Sequence, residues 1–420
     1  MQFLNSIISL GAAVIMPIIF LIVGLAVRLK LSQAVKAALL VGVGFTGLNM
    51  VINLLLDNLG PATHAMVNHL GVHLTVLDTG WGNSATIGWG SVLMPLTVFM
   101  FLILNLLLFA IKFTKTIDVD IFNYWIFLTC GSVIFAVTKN FAFSLLMMAL
   151  LFTIILKIAD WSAPVMQKEF KLDGVSFPHM NTAPWVFIGI AVNWIIEKIP
   201  GLNKVKINPE TINKRFGILG DPLVIGFIIG ALIGFLAEFS VPKVLSLAIT
   251  VAAAMLLLPK MVDILMEGLT IIRTGVETVF KKRFPKRKIY IGMDVALMAG
   301  NASVIATGVL LIPIALLLAV ILPGNKVLPL VDLPSLIFPI TMVCAYCKKD
   351  MFRTLVAGII MLVLILYIGT NISVPYTAAA IMSHAKIPVG VSEITSLNSG
   401  ATTILGWIAI ELGRIFHIFF

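Results

Sequence analysis

Gly82-Asn83 recurs 218 residues later as Gly300-Asn301, and the match runs on through Gly90/Gly308, Leu93/Leu311 and Pro95/Pro313. Gly174-Val175-Ser176 returns as Gly390-Val391-Ser392 at a spacing of 216. Two weaker pairs, Met50-Val51/Met261-Val262 and Trp194/Trp407, keep spacings of 211 and 213. A spacing that drifts by a few residues is what small loop insertions leave in a duplicated unit. The chain is therefore expected to fold as two related copies, residues 1–198 and 221–420, joined by a connector over 199–220.

What surrounds the copies is lipid. Hydrophobic residues make up 60% of the 420 and charged residues 11%, with a mean hydropathy of +1.09, outside the range of soluble domains. Apolar runs long enough for about 30 Å of hydrocarbon recur, among them 7–27, 37–56, 92–111, 141–156, 224–235, 245–258, 304–322 and 355–368. The expected fold is an all-α polytopic membrane protein of about ten or eleven transmembrane helices. The first run lacks a basic start and a small-residue cleavage site, so no cleavable signal is expected.

Loop charges orient the copies. The stretch 58–80 has no Lys or Arg and three histidines, whereas its counterpart, about 268–290, carries Arg273, Lys281, Lys282, Arg283, Lys286, Arg287 and Lys288. By the positive-inside rule the second faces the cytoplasm and the first faces outward. Equivalent segments on opposite sides make an inverted repeat. The connector, with Lys204, Lys206 and Lys214, also reads as cytoplasmic. An odd number of crossings per copy then requires 184–198 to lie at the interface as an amphipathic helix anchored by Trp185 and Trp194.

Four stretches are too polar and too rich in Gly and Pro to face lipid: 78–90 and 173–183 in the first copy, 294–306 and 388–403 in the second. Non-helical backbone survives at membrane depth only inside protein or along a wet cavity, so these read as re-entrant hairpins. Two copies of such a unit commonly meet at a solute site near the bilayer midplane.

The first hairpin offers Asp78, Asn83 and Ser84 as hydrogen-bonding groups and Trp81 as an apolar plate, the composition of a polyol or sugar site. Trp81 reads equally well as an interfacial anchor. The second offers His179 and Asn181, and the fourth Glu393, Thr395 and Asn398. Glu393 is the one carboxylate in an uncharged run between apolar segments, hence a candidate acceptor for solute hydroxyls. The third, with Asp294, Asn301 and Ser303, lacks a Trp and reads as a structural counterpart.

Other polar groups carry less. His64, His69 and His73 do not share a helix face and make no metal site. Asp221 reads as a helix N-cap, and Asp263 and Glu267 as solvated or paired. Cys130, Cys344 and Cys347 sit in apolar runs that suit a nucleophile poorly. No phosphate-binding glycine loop and no zincin motif occur, so catalytic residues, a metal and a cofactor are all unexpected, and energy must come from a partner chain or an ion gradient.

The motifs Asp78-Thr-Gly-Trp81, Gly174-Val-Ser-Phe-Pro-His179, Gly220-Asp-Pro222 and Gly390-Val-Ser-Glu393, with the length and the duplication, resemble the membrane-embedded IIC component of galactitol-type bacterial phosphotransferase systems. That family is related to the ascorbate-specific IIC transporters. The resemblance covers the whole chain. It implies a homodimer of the bacterial inner membrane, each protomer a V-motif scaffold plus a mobile core, and elevator-like transport of galactitol or a similar polyol. It also implies phosphorylation of the sugar by a cytoplasmic IIB subunit, recharged by IIA. Lys281, Lys282, Arg283, Lys286, Arg287 and Lys288 would then help dock IIB by charge. An ion-coupled secondary transporter and, more remotely, a lipid-acting membrane enzyme are the other readings of the same residues.

Overall fold

The structure is a computed structural model; it describes residues 12–70, 74–120, 123–209, 221–283, 288–388 and 390–419. In the N-terminal half the order is α1 (Ala12–Ala26), α2 (Leu31–Leu70), β1 (Val76–Asp78), α3 (Gly80–Trp89), α4 (Met94–Ala110), β2 (Thr116–Asp118), α5 (Tyr124–Thr138), α6 (Phe141–Phe170), β3 (Val175–Ser176) and α7 (Val186–Lys198). From residue 222 the same succession returns: α8 (Pro222–Leu236), α9 (Val241–Arg283), β4 (Tyr290–Gly292), α10 (Ala296–Ala299), α11 (Ala302–Ile321), β5 (Val327–Leu328), α12 (Thr341–Tyr346), α13 (Met351–Met382), β6 (Glu393–Thr395) and α14 (Ile404–Phe419). Asp221 caps α8, accepting from the Leu223 amide at 2.8 Å.

Among the described residues three helices, α6, α11 and α13, are long and apolar enough to cross a membrane; α3 and α4, bent by 90° at their junction, make a fourth if taken as one broken span. Shorter apolar helices include Tyr124–Thr138 and Val241–Leu257. Against the ten or eleven spans expected, the remaining apolar helices among the described residues are shorter or fall outside that test, Gly- and Pro-rich polar stretches interrupting several of them. Where 58–70 was expected to be a loop, it continues α2 through Pro61; α9 likewise runs on to Arg283. At 1.5 Å per residue each of these helices is roughly 60 Å long, twice the hydrocarbon thickness.

α2 and α9 pack antiparallel along small residues. Gly44 faces Leu265, while Gly268 lies against Ala37, Leu40 and Val41, so advancing along one helix retreats along the other. A Cβ on Gly268 would stand 2.7 Å from the Ala37 carbonyl oxygen, which is backbone and cannot swing aside. Without a hydrophobic force between helices in lipid, this close backbone approach is the main source of pairing. Gly268→Leu is accordingly expected to destabilise the protein by about 1–3 kcal/mol, read as a lower melting temperature in detergent; an unchanged Tm would contradict the packing.

The all-α expectation misses two small parallel sheets, ordered β5-β1-β6 and β2-β4-β3. In the first, Val76 pairs with Val327 and Glu393, and Asp78 with Thr395. In the second, Ile291 pairs with Ile117 and Val175, and Gly292 with Asp118 and Ser176. Each sheet takes its central strand from one half of the chain and both edges from the other. Helices that break at depth leave N–H and C=O groups that must pair within the protein, and here each half supplies the other's partners. The repeated Gly-Val-Ser triplets begin alike, with Gly174 at φ +75° and Gly390 at φ +82°. The following strand starts at once in the first case and three residues on in the second, so Thr395 rather than Ser392 is level with Ser176.

The stretch 184–198 corrects a second expectation. Trp185 is 1% exposed and interior, not an interfacial anchor; α7 buries Val186, Gly189, Val192 and Ile196, with Gly189 against Val343. Its inward face is therefore packed on protein, and of the two tryptophans only Trp194 is open, at 62%. The connector is then tied to the start of α13: the Ile207 amide donates to Asp350 (2.7 Å) and Arg353 donates to the Asn203 carbonyl (3.3 Å).

Candidate functional site

Two polar clusters stand at the ends of the sheets. At the end of β1 the carboxylate of Asp78 accepts from the amides of Gly80 (3.1 Å), Leu330 (3.1 Å), Asp332 (2.8 Å) and Leu397 (3.4 Å). Asp332 in turn accepts from the amides of Trp81 (2.8 Å) and Asn398 (2.9 Å) and the hydroxyls of Ser396 (2.6 Å) and Ser335 (3.2 Å). Both acids are fully buried. Gly80, at φ +81°, turns the chain from strand to helix so that its amide and the next can reach them. Eight donors on two carboxylates saturate their oxygens. This cluster is a brace that clamps three chain segments.

The second cluster lies where β2, β3 and β4 end. The Asn105 side chain holds β2 by accepting from the Asp118 amide (3.0 Å) and donating to the Thr116 carbonyl (3.1 Å). Asp118 accepts from the Asp120 amide (3.1 Å). The Asn123 amide nitrogen donates to both Asp120 (2.7 Å) and Asp294 (2.8 Å), and its oxygen accepts from the Trp125 indole (3.2 Å), which fixes the amide's orientation. Asp294 also accepts from the Ala296 amide (2.8 Å). His179 Nε2 stands 3.9 Å from Asp294 Oδ1, beyond hydrogen-bond reach, and its Nδ1 is 3.5 Å from the Thr182 hydroxyl. Donor atoms of Asp120, His179 and Asp294 all lie within 4.8 Å of one another, a set of the kind that also chelates cations. Among the described residues no Lys or Arg pairs with Asp118, Asp120 or Asp294.

The clusters touch through one side-chain bond, Asn181 Nδ2 donating to Asn398 Oδ1. Asn181 is further held by Thr182 (3.1 Å) and Asn398 by Ser335 (3.4 Å). These two asparagines are 217 residues apart, the spacing of the internal repeat. The structure thus brings His179, Asn181 and Asn398 together, while Asp78 belongs to the brace and Thr395 pairs beside it in the sheet, its hydroxyl buried without a partner.

Other nominated residues lie elsewhere. Trp81 leans on Trp125, ring centroids 6.2 Å apart, behind the second cluster. Asn83 donates to Thr79 (3.0 Å) and the Lys386 carbonyl (3.1 Å). Ser84 is buried on the Tyr376 hydroxyl. Glu393 accepts from Ser373 at 2.5 Å. Lys281, Lys282 and Arg283 close α9 and Lys288 is exposed just before β4; Lys286 and Arg287 lie outside the described residues, as does His73. His69 is 3.7 Å from Glu238, and Glu267 pairs with Lys36 at 3.1 Å. Asp118, Asp120, Asn123 and Asp332 are not among the residues the sequence nominates, and Asp294 is expected there only as part of a structural counterpart. A signal was present: Asp120-x-x-Asn123 returns as Asp332-x-x-Ser335 at a spacing of 212, and in both the acid holds the side chain three residues on.

Asn123→Leu keeps the volume but removes the donor shared by two buried carboxylates. It is expected to destabilise the protein by about 1–3 kcal/mol; thermal denaturation checks this, and a wild-type Tm would show the bridge to be dispensable.

Comparison with known proteins identifies the family. The family model described as "PTS system sugar-specific permease component" matches residues 6–390. The chain is 37% identical over 406 residues to a "Putative permease IIC component" of Escherichia coli K12, covering 97% of this chain and 92% of that protein. It is 32% identical over 411 residues to the "PTS system galactitol-specific EIIC component" of the same strain, covering 98% and 90%. Broken helices, strand-exchanged sheets and a buried polar centre are therefore features of a membrane protein that belongs to the sugar-specific permease component (EIIC) family of the phosphotransferase system.

Proposed function

We propose that this chain carries galactitol or a similar polyol across the bacterial inner membrane as a multi-pass permease, the sugar being phosphorylated on the inner side by a IIB subunit recharged by IIA. The observation that carries the reading is the second cluster: Asp120, His179 and Asp294, with Asn181 and Asn398 beside them, offer acceptors and donors to several hydroxyls at once. The 32% identity to a galactitol-specific relative supports the substrate class. Asp78 and Thr395 beside the brace, Ser84 on Tyr376, Asn83 on Thr79 and Glu393 on Ser373 would shape the surroundings of this cluster rather than touch the sugar themselves, and Trp81 would back it through Trp125.

The twofold element order, the antiparallel α2 and α9 and the exchanged strands support an inverted repeat, 1–198 and 221–420 about the connector. The polar hairpins would form a mobile core, with α1, α2, α8 and α9 as the scaffold through which a homodimer forms and against which the core slides. Lys281, Lys282, Arg283, Lys286, Arg287 and Lys288 would draw an acidic face of IIB by charge. The test is uptake of labelled galactitol into proteoliposomes of the purified chain. Accumulation as the phosphate, dependent on phosphorylated IIB, is expected; accumulation of free sugar driven by a proton or sodium gradient alone would favour ion-coupled transport instead.

A further inference from the structure

We infer that the outer face of α6 carries a site for an anionic phospholipid, with Lys157 meeting the headgroup phosphate and an aromatic wall meeting an acyl chain. The site lies apart from both polar clusters and does not rest on the polyol reading. Lys157, Ile158 and Trp161 follow Ile154 by three, four and seven residues and so share one face of α6. With Phe113, from the turn after α4, and Phe187, from the first turn of α7, they line a groove of about 310 Å³. Trp161 stacks on Phe187, ring centroids 6.0 Å apart, and on Tyr346 at 5.6 Å. Trp161 and Phe187 are nonetheless 53% and 52% exposed, so the stack presents open ring surface rather than filling a core. Thr153, the other polar residue of the lining, donates its hydroxyl proton to the Ala149 carbonyl (2.8 Å). A polar solute finds little to bond with on this wall, whereas a hydrocarbon chain fits it.

Charge selects the headgroup. Lys157, the cation among the lining residues, donates to the Phe113 carbonyl (2.7 Å) and lies 4.3 Å from the centroid of the Phe113 ring. That leaves two of the ammonium's three N–H groups to give. Among the described residues no carboxylate pairs with Lys157. Asp160, three residues further on, is held elsewhere: its oxygens accept from the Thr114 hydroxyl (3.0 Å), the Lys115 amide (2.8 Å) and the Thr116 hydroxyl (2.8 Å). Lys112 and Lys115, both exposed in the turn that carries Phe113, add two positive charges at that end. The Lys115 carbonyl accepts from the Tyr290 amide (2.9 Å), and Tyr290 follows the basic stretch 281–288 that loop charge assigns to the cytoplasmic side. Anionic headgroups give that leaflet its negative potential and attract lysines placed near it. A phosphodiester supplies the missing counter-charge, and the chains attached to it cover the wall.

The experiment titrates the delipidated full chain in detergent with chain-brominated phosphatidylglycerol or phosphatidylcholine. Quenching of Trp161 is read as the difference between the wild type and Trp161→Phe. Phosphatidylglycerol is expected to half-quench at roughly 100-fold lower concentration than phosphatidylcholine, about 5-fold for each of the three lysines. The double variant Lys112→Gln/Lys115→Gln is expected to weaken phosphatidylglycerol by roughly 25-fold, and Lys157→Gln by roughly 5-fold, with phosphatidylcholine unmoved. A melting curve without lipid checks that each variant is folded. Should Lys157→Gln fail to fold because the Phe113 carbonyl loses its donor, the double variant decides alone. Equal quenching by the two lipids, or none of Trp161 by either, would overturn the inference. So would wild-type phosphatidylglycerol affinity in the double variant, which would place the headgroup elsewhere. Glycerol 3-phosphate, a headgroup without chains, is expected to leave the quenching unchanged even in large excess; relief of quenching would make this a site for soluble phosphates and refute the lipid.

Discussion

Asp332→Ala is expected to leave no folded permease to assay. The substitution strips acceptors from the amides of Trp81 and Asn398 and the hydroxyls of Ser396 and Ser335, all beside the fully buried Asp78. A buried donor left unpaired costs about 1–3 kcal/mol. Four such losses together are comparable with the whole stability of an ordinary domain, about 5–15 kcal/mol. Size-exclusion profiles and thermal melts of detergent extracts provide the readout, with Asp332→Asn, which keeps one oxygen acceptor, expected to be intermediate. A monodisperse Asp332→Ala protein with the wild-type Tm would show that the brace does not hold the fold.

Asp294→Asn is expected to behave in the opposite way, folding normally but binding polyol at least about 100-fold more weakly. The Asn side chain can still accept from the Ala296 amide with its oxygen, and the Asn123 amide, losing Asp294 as acceptor, keeps Asp120, so the turn into α10 survives. What is lost is the charge that strengthens hydrogen bonds from sugar hydroxyls, about 1.5–3 kcal/mol for each bond to a charged group. Labelled-galactitol binding, alongside a melting curve, separates the two effects. Full affinity in the variant would move the sugar away from this cluster; a collapsed fold would make Asp294 a second brace rather than a ligand.

The contrast between these variants was only half legible beforehand. His179, Asn181 and Asn398 could be singled out because they are polar residues in repeated hairpins, and the structure brings them to one place. Asp78 was singled out by the same rule, yet its oxygens are filled by four backbone amides. Residue type does not reveal whether a carboxylate faces a solute or caps its own chain; three of the four partners of Asp78 come from segments more than 250 positions away. Asp120 and Asn123 were passed over because they sit in a short linker between apolar helices, where an acid reads as ordinary loop polarity. Trp185 was assigned to the interface on residue type alone and is in fact core.

Apolar runs, loop charges and the recurrence of Gly-Asn and Gly-Val-Ser sufficed to define a duplicated helical chain for a lipid environment, since these signals are local or depend only on spacing. Which half supplies which strand, which carboxylates remain available and which are used up in capping were decided by the tertiary fold. Those outcomes hinge on hydrogen bonds between the two halves. Inside a low-dielectric interior every buried polar group must find a partner, and the partner's identity exists only once the halves have met.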